Sequence, residues 1–230
     1  VNRLQLVQRL KRESARSGPP PASIAVLSGD DILLDSWLGD AWLEVQRRRM
    51  DWHWMRKTVT GPLIVNVGVY AASDLDPLVL NFGRWQDDTG DYTVRAYNTA
   101  APGVPINLTW VPYEVFQARF LVSTVTNAAP VCWSIAPDKR LLIGPKPNTG
   151  DYTVTADYWA KPTALVLDAD EPDMPGQFHM LLVWRALLEV AGFDAAPEVE
   201  SRAKRNLRMA WADLLDDQAP RVRLSDEPLC

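Results

Sequence analysis

The hydrophobic period of this chain changes twice, and that limits its fold more than any other feature. Apolar residues recur at helical spacing up to about residue 56, at strand spacing from about 57, and at helical spacing again after Asp168. Near the start, Val7 and Leu10 are spaced for a short helix over Leu4 to Ser14, with Asn2 as N-cap, ended by Gly18-Pro19-Pro20-Pro21. Ser28-Gly29-Asp30-Asp31 opens a second helix whose Leu34, Trp37, Leu38, Ala41, Trp42 and Val45 fall on one face. The acidic residues suit the positive helix end, and Arg47-Arg48-Arg49 suit the negative one. Four of the ten tryptophans lie between Trp37 and Trp54, at the seam where this helix hands over to the β region.

Between the helical segments, Thr58 to Tyr70, Leu78 to Asn81, Tyr92 to Tyr97, Ile106 to Val111, Val131 to Ala136, Arg140 to Ile143 and Asp151 to Trp159 read as strands. Turn residues such as Asp87-Asp88-Thr89-Gly90 and Pro147-Asn148-Thr149-Gly150 separate most of them. One short helix interrupts, with Pro112 as its first residue and Tyr113 to Leu121 as its body. Thr89-Gly90-Asp91-Tyr92-Thr93-Val94 recurs as Thr149-Gly150-Asp151-Tyr152-Thr153-Val154. The recurrence is either a structural repeat or the shared preference of turns and strands for these residues. Beyond Pro175, Gln177 to Ala191 is apolar nearly all round, which places it centrally, with Arg185 and Glu189 paired on the remaining strip and Gly192 as its cap. Pro197 opens a last helix with Val199, Ala203, Leu207, Ala210, Trp211 and Leu214 in one stripe, closed by Pro220.

The expected fold is α+β, with N- and C-terminal helices packed as a bundle around an inserted antiparallel β-rich region. Its expected divisions are residues 1–56 and 168–219 for the bundle, 57–167 for the insert and 220–230 for an extended tail.

Chemistry is sparse along this chain. A net charge of −5 argues against a nucleic-acid binder by bulk charge. Two cysteines, Cys132 and Cys230, exclude a disulfide framework and support no zinc site, and a thiol-reducing cytoplasm is the default compartment. No stretch has the character of a signal peptide or a membrane span. His53 and His179 have no nucleophile near them in sequence, so they read as packing or surface residues. The acidic loop of Asp168, Asp170, Glu171 and Asp173 lacks EF-hand spacing and reads as charge preceding a helix. The prolines of Gly144-Pro145-Lys146-Pro147 remove the N–H donors that a phosphate cradle needs. No enzymatic activity, metal or cofactor is expected.

Two basic segments remain. Arg47, Arg48 and Arg49 are either a solvated helix end or a contact to DNA or a neighbouring subunit. Arg221, Val222, Arg223 and Leu224 are either a frayed terminus or an alternating strand that adds to a partner.

Short strings in fixed order along nearly the whole chain resemble the head–tail connector (adaptor) proteins of tailed bacteriophages. They begin with Leu6-Val7-Gln8-Arg9-Leu10, Ala41-Trp42 with Val45-Gln46, and Trp52, Trp54 and Met55. Phe82-Gly83-Arg84-Trp85, Ile135-Ala136-Pro137-Asp138, Leu142-Ile143-Gly144-Pro145 and Asp157-Tyr158-Trp159 follow in the β region. Phe178-His179-Met180 and Ala195-Ala196-Pro197-Glu198-Val199 complete the set. The resemblance implies a structural virion protein at the neck, assembled in the host cytoplasm as a homo-oligomeric ring, a dodecamer, beneath the portal. It implies that the C-terminal segment docks on the portal protein and that the next connector or a tail protein binds the opposite side. Double-stranded DNA would pass through the lumen with non-specific contact, and no membrane is involved. A competing reading is a carbohydrate-binding β module that presents Trp85, Trp110, Trp133 or Trp159 to a sugar.

Overall fold

The structure is a computed structural model that describes residues 1–49, 51–86, 93–122 and 125–219. Helices α1 (Arg3–Glu13) and α2 (Asp30–Arg48) come first. The central elements are β1 (Arg56–Pro62), β2 (Val69–Tyr70), α3 (Ala72–Leu75), β3 (Phe82–Trp85), β4 (Val94–Asn98), β5 (Ala101–Asn107), β6 (Thr109–Trp110), α4 (Tyr113–Phe116), β7 (Cys132–Ile135), β8 (Leu141–Gly144) and β9 (Tyr152–Ala160). Helices α5 (Met180–Phe193) and α6 (Pro197–Gln218) close the chain. The fold is α+β, and the chain forms two compact units, one of Val1–Trp54 with the residues from Pro162 onward, the other of Met55–Lys161.

In the helical unit α5 is central and packs against α1, α2 and α6. Leu181, Leu182, Val183, Ala186 and Leu187 are all fully buried, as an all-round apolar helix requires. Asn2 and Gln5 form a reciprocal capping box at the start of α1. The free N–H groups of Arg3 and Leu4 donate to the carbonyls of Asp170 (2.8 Å) and Asp168 (3.3 Å), so the acidic loop closes the helix start. Arg3 binds Asp35 through two hydrogen bonds (2.9 and 2.6 Å), and Lys11 pairs with Asp31 at 2.9 Å, joining α1 to α2. Trp52 is fully buried, and its indole N–H donates to the carbonyl of Val45 (2.8 Å), one of the last carbonyls of α2.

In the β unit, β9 alternates buried and half-buried along its whole length. One of its edges pairs with β1, and the other pairs with β3 and β4, all antiparallel. The second sheet runs β2-β8-β7-β6, with one parallel pair, β6 with β7. Val59, Trp85, Val154 and Tyr158 of the first sheet share one apolar cluster with Tyr70, Trp133, Leu141 and Ile143 of the second. Cys132 and Leu142 face the other way and meet Phe116 of α4. That is why β8 is buried on both faces. Gly61 lies so close to α3 that a Cβ there would stand 2.3 Å from the carbonyl oxygen of Leu75.

Several local expectations need correction. Leu78 to Asn81 is not a strand: the Leu78 N–H donates to Asp76, Leu78 and Leu80 stand in solvent, and pairing starts at Phe82. Thr58 to Tyr70 is two strands, and Ile106 to Val111 breaks at Leu108, which turns into the core. Pro112 is the cap of α4, not its first residue, and Gln117–Leu121 continues that helix as a π-turn. Helix α1 stops at Glu13, ahead of the proline run, where Ala15 takes a φ of 56°. Gly192 lies inside α5, and the chain turns instead at Ala195, with a φ of 50°. The two recurring segments feed adjacent strands, with Val94 opposite Ala156 and Ala96 opposite Val154; residues 89–92 of the first copy lie outside the described residues.

Candidate interaction surface

Helices α2, α5 and α6 do not close completely over one another. Between them lies a groove of about 520 Å³, with Val45 on α2, Leu181 and Leu188 on α5, and Leu207, Trp211 and Leu215 on α6. On α6 these three residues stand four apart, so one face of the helix carries them. Leu188, Leu207, Trp211 and Leu215 are only half-buried, so apolar surface faces solvent there. Glu44, Arg48, Arg185 and Arg208 add charge to the lining. Arg185 binds Glu44 (2.7 Å) and Glu189 (2.6 Å), which together hold its guanidinium charged despite partial burial.

The three arginines at the end of α2 have three different fates. Arg47 is exposed and makes no ion pair among the described residues. Arg48 lies over the Trp211 ring, 4.7 Å from its centroid, and within 3.8 Å of Glu44. Arg49 forms a two-pronged pair with Asp51 (3.0 and 2.8 Å) and lies 5.2 Å from the Trp52 ring centroid. The Asp51 carboxylate raises the Arg49 pKa further above its ordinary value. Arg221, Val222, Arg223 and Leu224 lie outside the described residues.

The tryptophan cluster divides between core and surface. Trp42 and Trp52 are buried, Trp54 stacks on Trp52 at 4.6 Å, and Trp211 meets Trp52 edge-on at 6.0 Å. Trp37 is half-buried against Phe193, whose ring is 65% exposed. In the β unit Trp85 and Trp133 are core residues, and the Trp85 indole N–H donates to the Lys139 carbonyl (2.8 Å). Trp110 and Trp159 are half-buried, so none of the four is a free platform for a sugar ring. The most exposed large apolar residues of the β unit are Leu78 and Leu80, 85% and 90% exposed on one loop.

The candidate chemical groups are taken up in structure. His179 is buried, and its Nε2–H donates to the Met174 carbonyl (3.0 Å), whereas His53 is exposed. Asp168 accepts the Ile24 N–H (2.9 Å), and Asp170 accepts those of Val166 (2.6 Å) and Leu167 (2.7 Å). Among the described residues no group of acidic, His or Cys side chains is arranged to hold a metal ion. No described helix is long and apolar enough to cross a membrane.

Two buried glutamines tie distant segments of the helical unit together. Gln46, buried in α2, donates to the Thr163 carbonyl and accepts from the Thr163 N–H, both at 3.0 Å. Gln218, buried at the end of α6, accepts the His53 N–H at 3.0 Å. Their only signal in sequence is a polar residue on an otherwise apolar face.

A protein-family model described as "SU10 adaptor protein" matches residues 1–228. No curated protein matches the chain.

Proposed function

We propose a ring-forming role beneath the portal for this chain, which belongs to the SU10 adaptor protein family. Members of that family are bacteriophage adaptors, structural proteins that contact other head and tail proteins. In our reading, copies associate head to tail into a dodecameric ring at the virion neck. The segment Arg221 to Leu224 docks on the portal protein, and the far side receives the next connector or a tail protein. DNA passes through the lumen, where the exposed Arg47 supplies sequence-independent contact. The role has no catalytic step.

The observation that carries this reading is the extent of the family match, which covers both helical segments and the β insert together. The surfaces support it. A head-to-tail ring needs two different contact faces on each subunit. The groove beside Trp211 and the exposed Leu78–Leu80 loop are two separate apolar features, one on each unit.

The test is electron cryo-microscopy of the purified chain, alone and mixed with its portal protein. A closed symmetric ring seated on the portal is expected. Isolated monomers in both samples would defeat the proposal. Truncation after Ala219 is expected to abolish portal capture while leaving the far-UV circular dichroism unchanged.

A further inference from the structure

In the β unit, residues 76–81 form a loop braced by short-range bonds. The Val79 N–H donates to the Asp76 carbonyl and the Leu80 N–H to the Leu78 carbonyl, both at 3.0 Å, and the Leu78 N–H donates to the Asp76 carboxylate at 2.9 Å. Val79 packs on the core, so Leu78 and Leu80 on either side of it turn outward. A knob preset in this way loses little conformational freedom on docking. From 71 to 83 the chain has two carboxylates, Asp74 and Asp76, and no basic residue. Both cap backbone N–H groups, of Ala71 and Leu78, and neither makes an ion pair among the described residues. Arg140, whose charge reaches Asp74, is taken up by Asp138 at 2.6 Å.

The groove in the helical unit has the opposite character. Its lining carries Arg48, Arg185 and Arg208 against Glu44. Glu189 lies outside the lining and is bound by Arg185, as Glu44 is; counting it as well still leaves the arginines in excess. Arg208 stands exposed on the α6 wall with no ion pair among the described residues. Lys204 and Glu200, before it on α6, pair with each other at 2.5 Å and cancel.

We infer that copies of this chain join by seating the Leu78–Leu80 loop of one in the groove beside Trp211 of the next, with Asp76 turned to Arg208. The inference rests on the head-to-tail association proposed above and names the two faces that meet. Leu78 and Leu80 then cover Leu207, Trp211 and Leu215, apolar surface that a single copy leaves facing solvent. The charges also set the direction. An acidic knob suits a groove rimmed by arginines, whereas knob against knob or groove against groove would bring like charges together. Because the two faces differ, a joined pair still offers one groove and one loop, and the contact repeats until the ring closes.

Cysteine pairing tests the contact. In full-length chain carrying Cys230→Ser, the remaining thiol, Cys132, is buried. Ala212→Cys, at an exposed position of the groove wall, and Leu80→Cys are made in separate chains, which are mixed, assembled and oxidised. A disulfide-linked dimer of the two chains is expected as the main product. Its yield is expected to fall to less than about a tenth when Ile32→Cys, exposed on α2 outside the groove, replaces Ala212→Cys. Equal yield would mark chance collision and overturn the contact. Closed rings in electron cryo-microscopy without the mixed dimer also overturn it, and leave the ring reading standing; absence of any association defeats both. An internal disulfide in a chain carrying both changes, with no mixed dimer, would assign the loop to its own groove and likewise overturn the proposal. Asp76→Asn keeps an oxygen for the Leu78 N–H but removes the charge. This change and Arg208→Gln are each expected to cut the mixed dimer about threefold, and the two together no further than either alone. Effects that multiply would refute the pairing of Asp76 with Arg208.

Discussion

Asp170 works through both its main chain and its side chain. Its carbonyl accepts the Arg3 N–H at the start of α1, and its carboxylate accepts the N–H groups of Leu167 and Val166. Those two bonds, Leu167 first, hold its pKa below the ordinary carboxylate value. A lowered folded-state pKa contributes stability above the unfolded value, near 4, and that contribution disappears as pH falls through the folded value. The Arg3 and Leu4 amides are therefore expected to exchange with solvent faster as pH drops below about 4, after correction for intrinsic rates. In Asp170→Ala they are expected to exchange faster at every pH. Wild-type and variant rates that coincide at neutral pH would show that the carboxylate does not anchor α1. In sequence these acids read only as charge ahead of a helix, because the helix they serve lies far away along the chain.

At the scale of elements, helix α2 holds the returning chain through one buried side chain. Gln46 presents a donor and an acceptor to Thr163, much as a neighbouring strand would. Gln46→Leu keeps the volume but leaves the Thr163 N–H and carbonyl without those partners, at an expected cost of about 1–3 kcal/mol. A shift of that size in the urea midpoint, with an unchanged slope, is the measurement; a neutral result would mean that water replaces the amide. The elements themselves were largely legible. Helical spacing located α2, α5 and α6, and turn residues bracketed β7, β8 and β9. Leu78 to Asn81 was misread because local propensity cannot register that Asp76 captures the Leu78 N–H, or that pairing with Ala160 begins only at Phe82. The groove beside Trp211 was illegible for a related reason. The sequence presents Leu207, Trp211 and Leu214 as one stripe, yet only Leu214 is fully buried, and which apolar residues stay open depends on how three helices pack.

For the whole molecule, exposed apolar residues are placed where folding does not need them. Leu78 and Leu80 contribute little to the core of the β unit, whereas Val79 between them packs against it. Leu78→Ser with Leu80→Ser is thus expected to leave stability within about 0.5 kcal/mol. The same pair of changes is expected to reduce co-sedimentation with neck partners at least fivefold. Full co-sedimentation would remove this loop from assembly. One feature of the β unit also bears on force. Its first and last strands are partners, with Arg56 opposite Trp159 and Asp157 bound by both Arg56 and Thr58. The insert therefore hangs on a two-strand stem whose ends are neighbours. A pull on the two ends of the insert is therefore taken up first by the β1–β9 ladder, whose strands enter and leave the unit side by side.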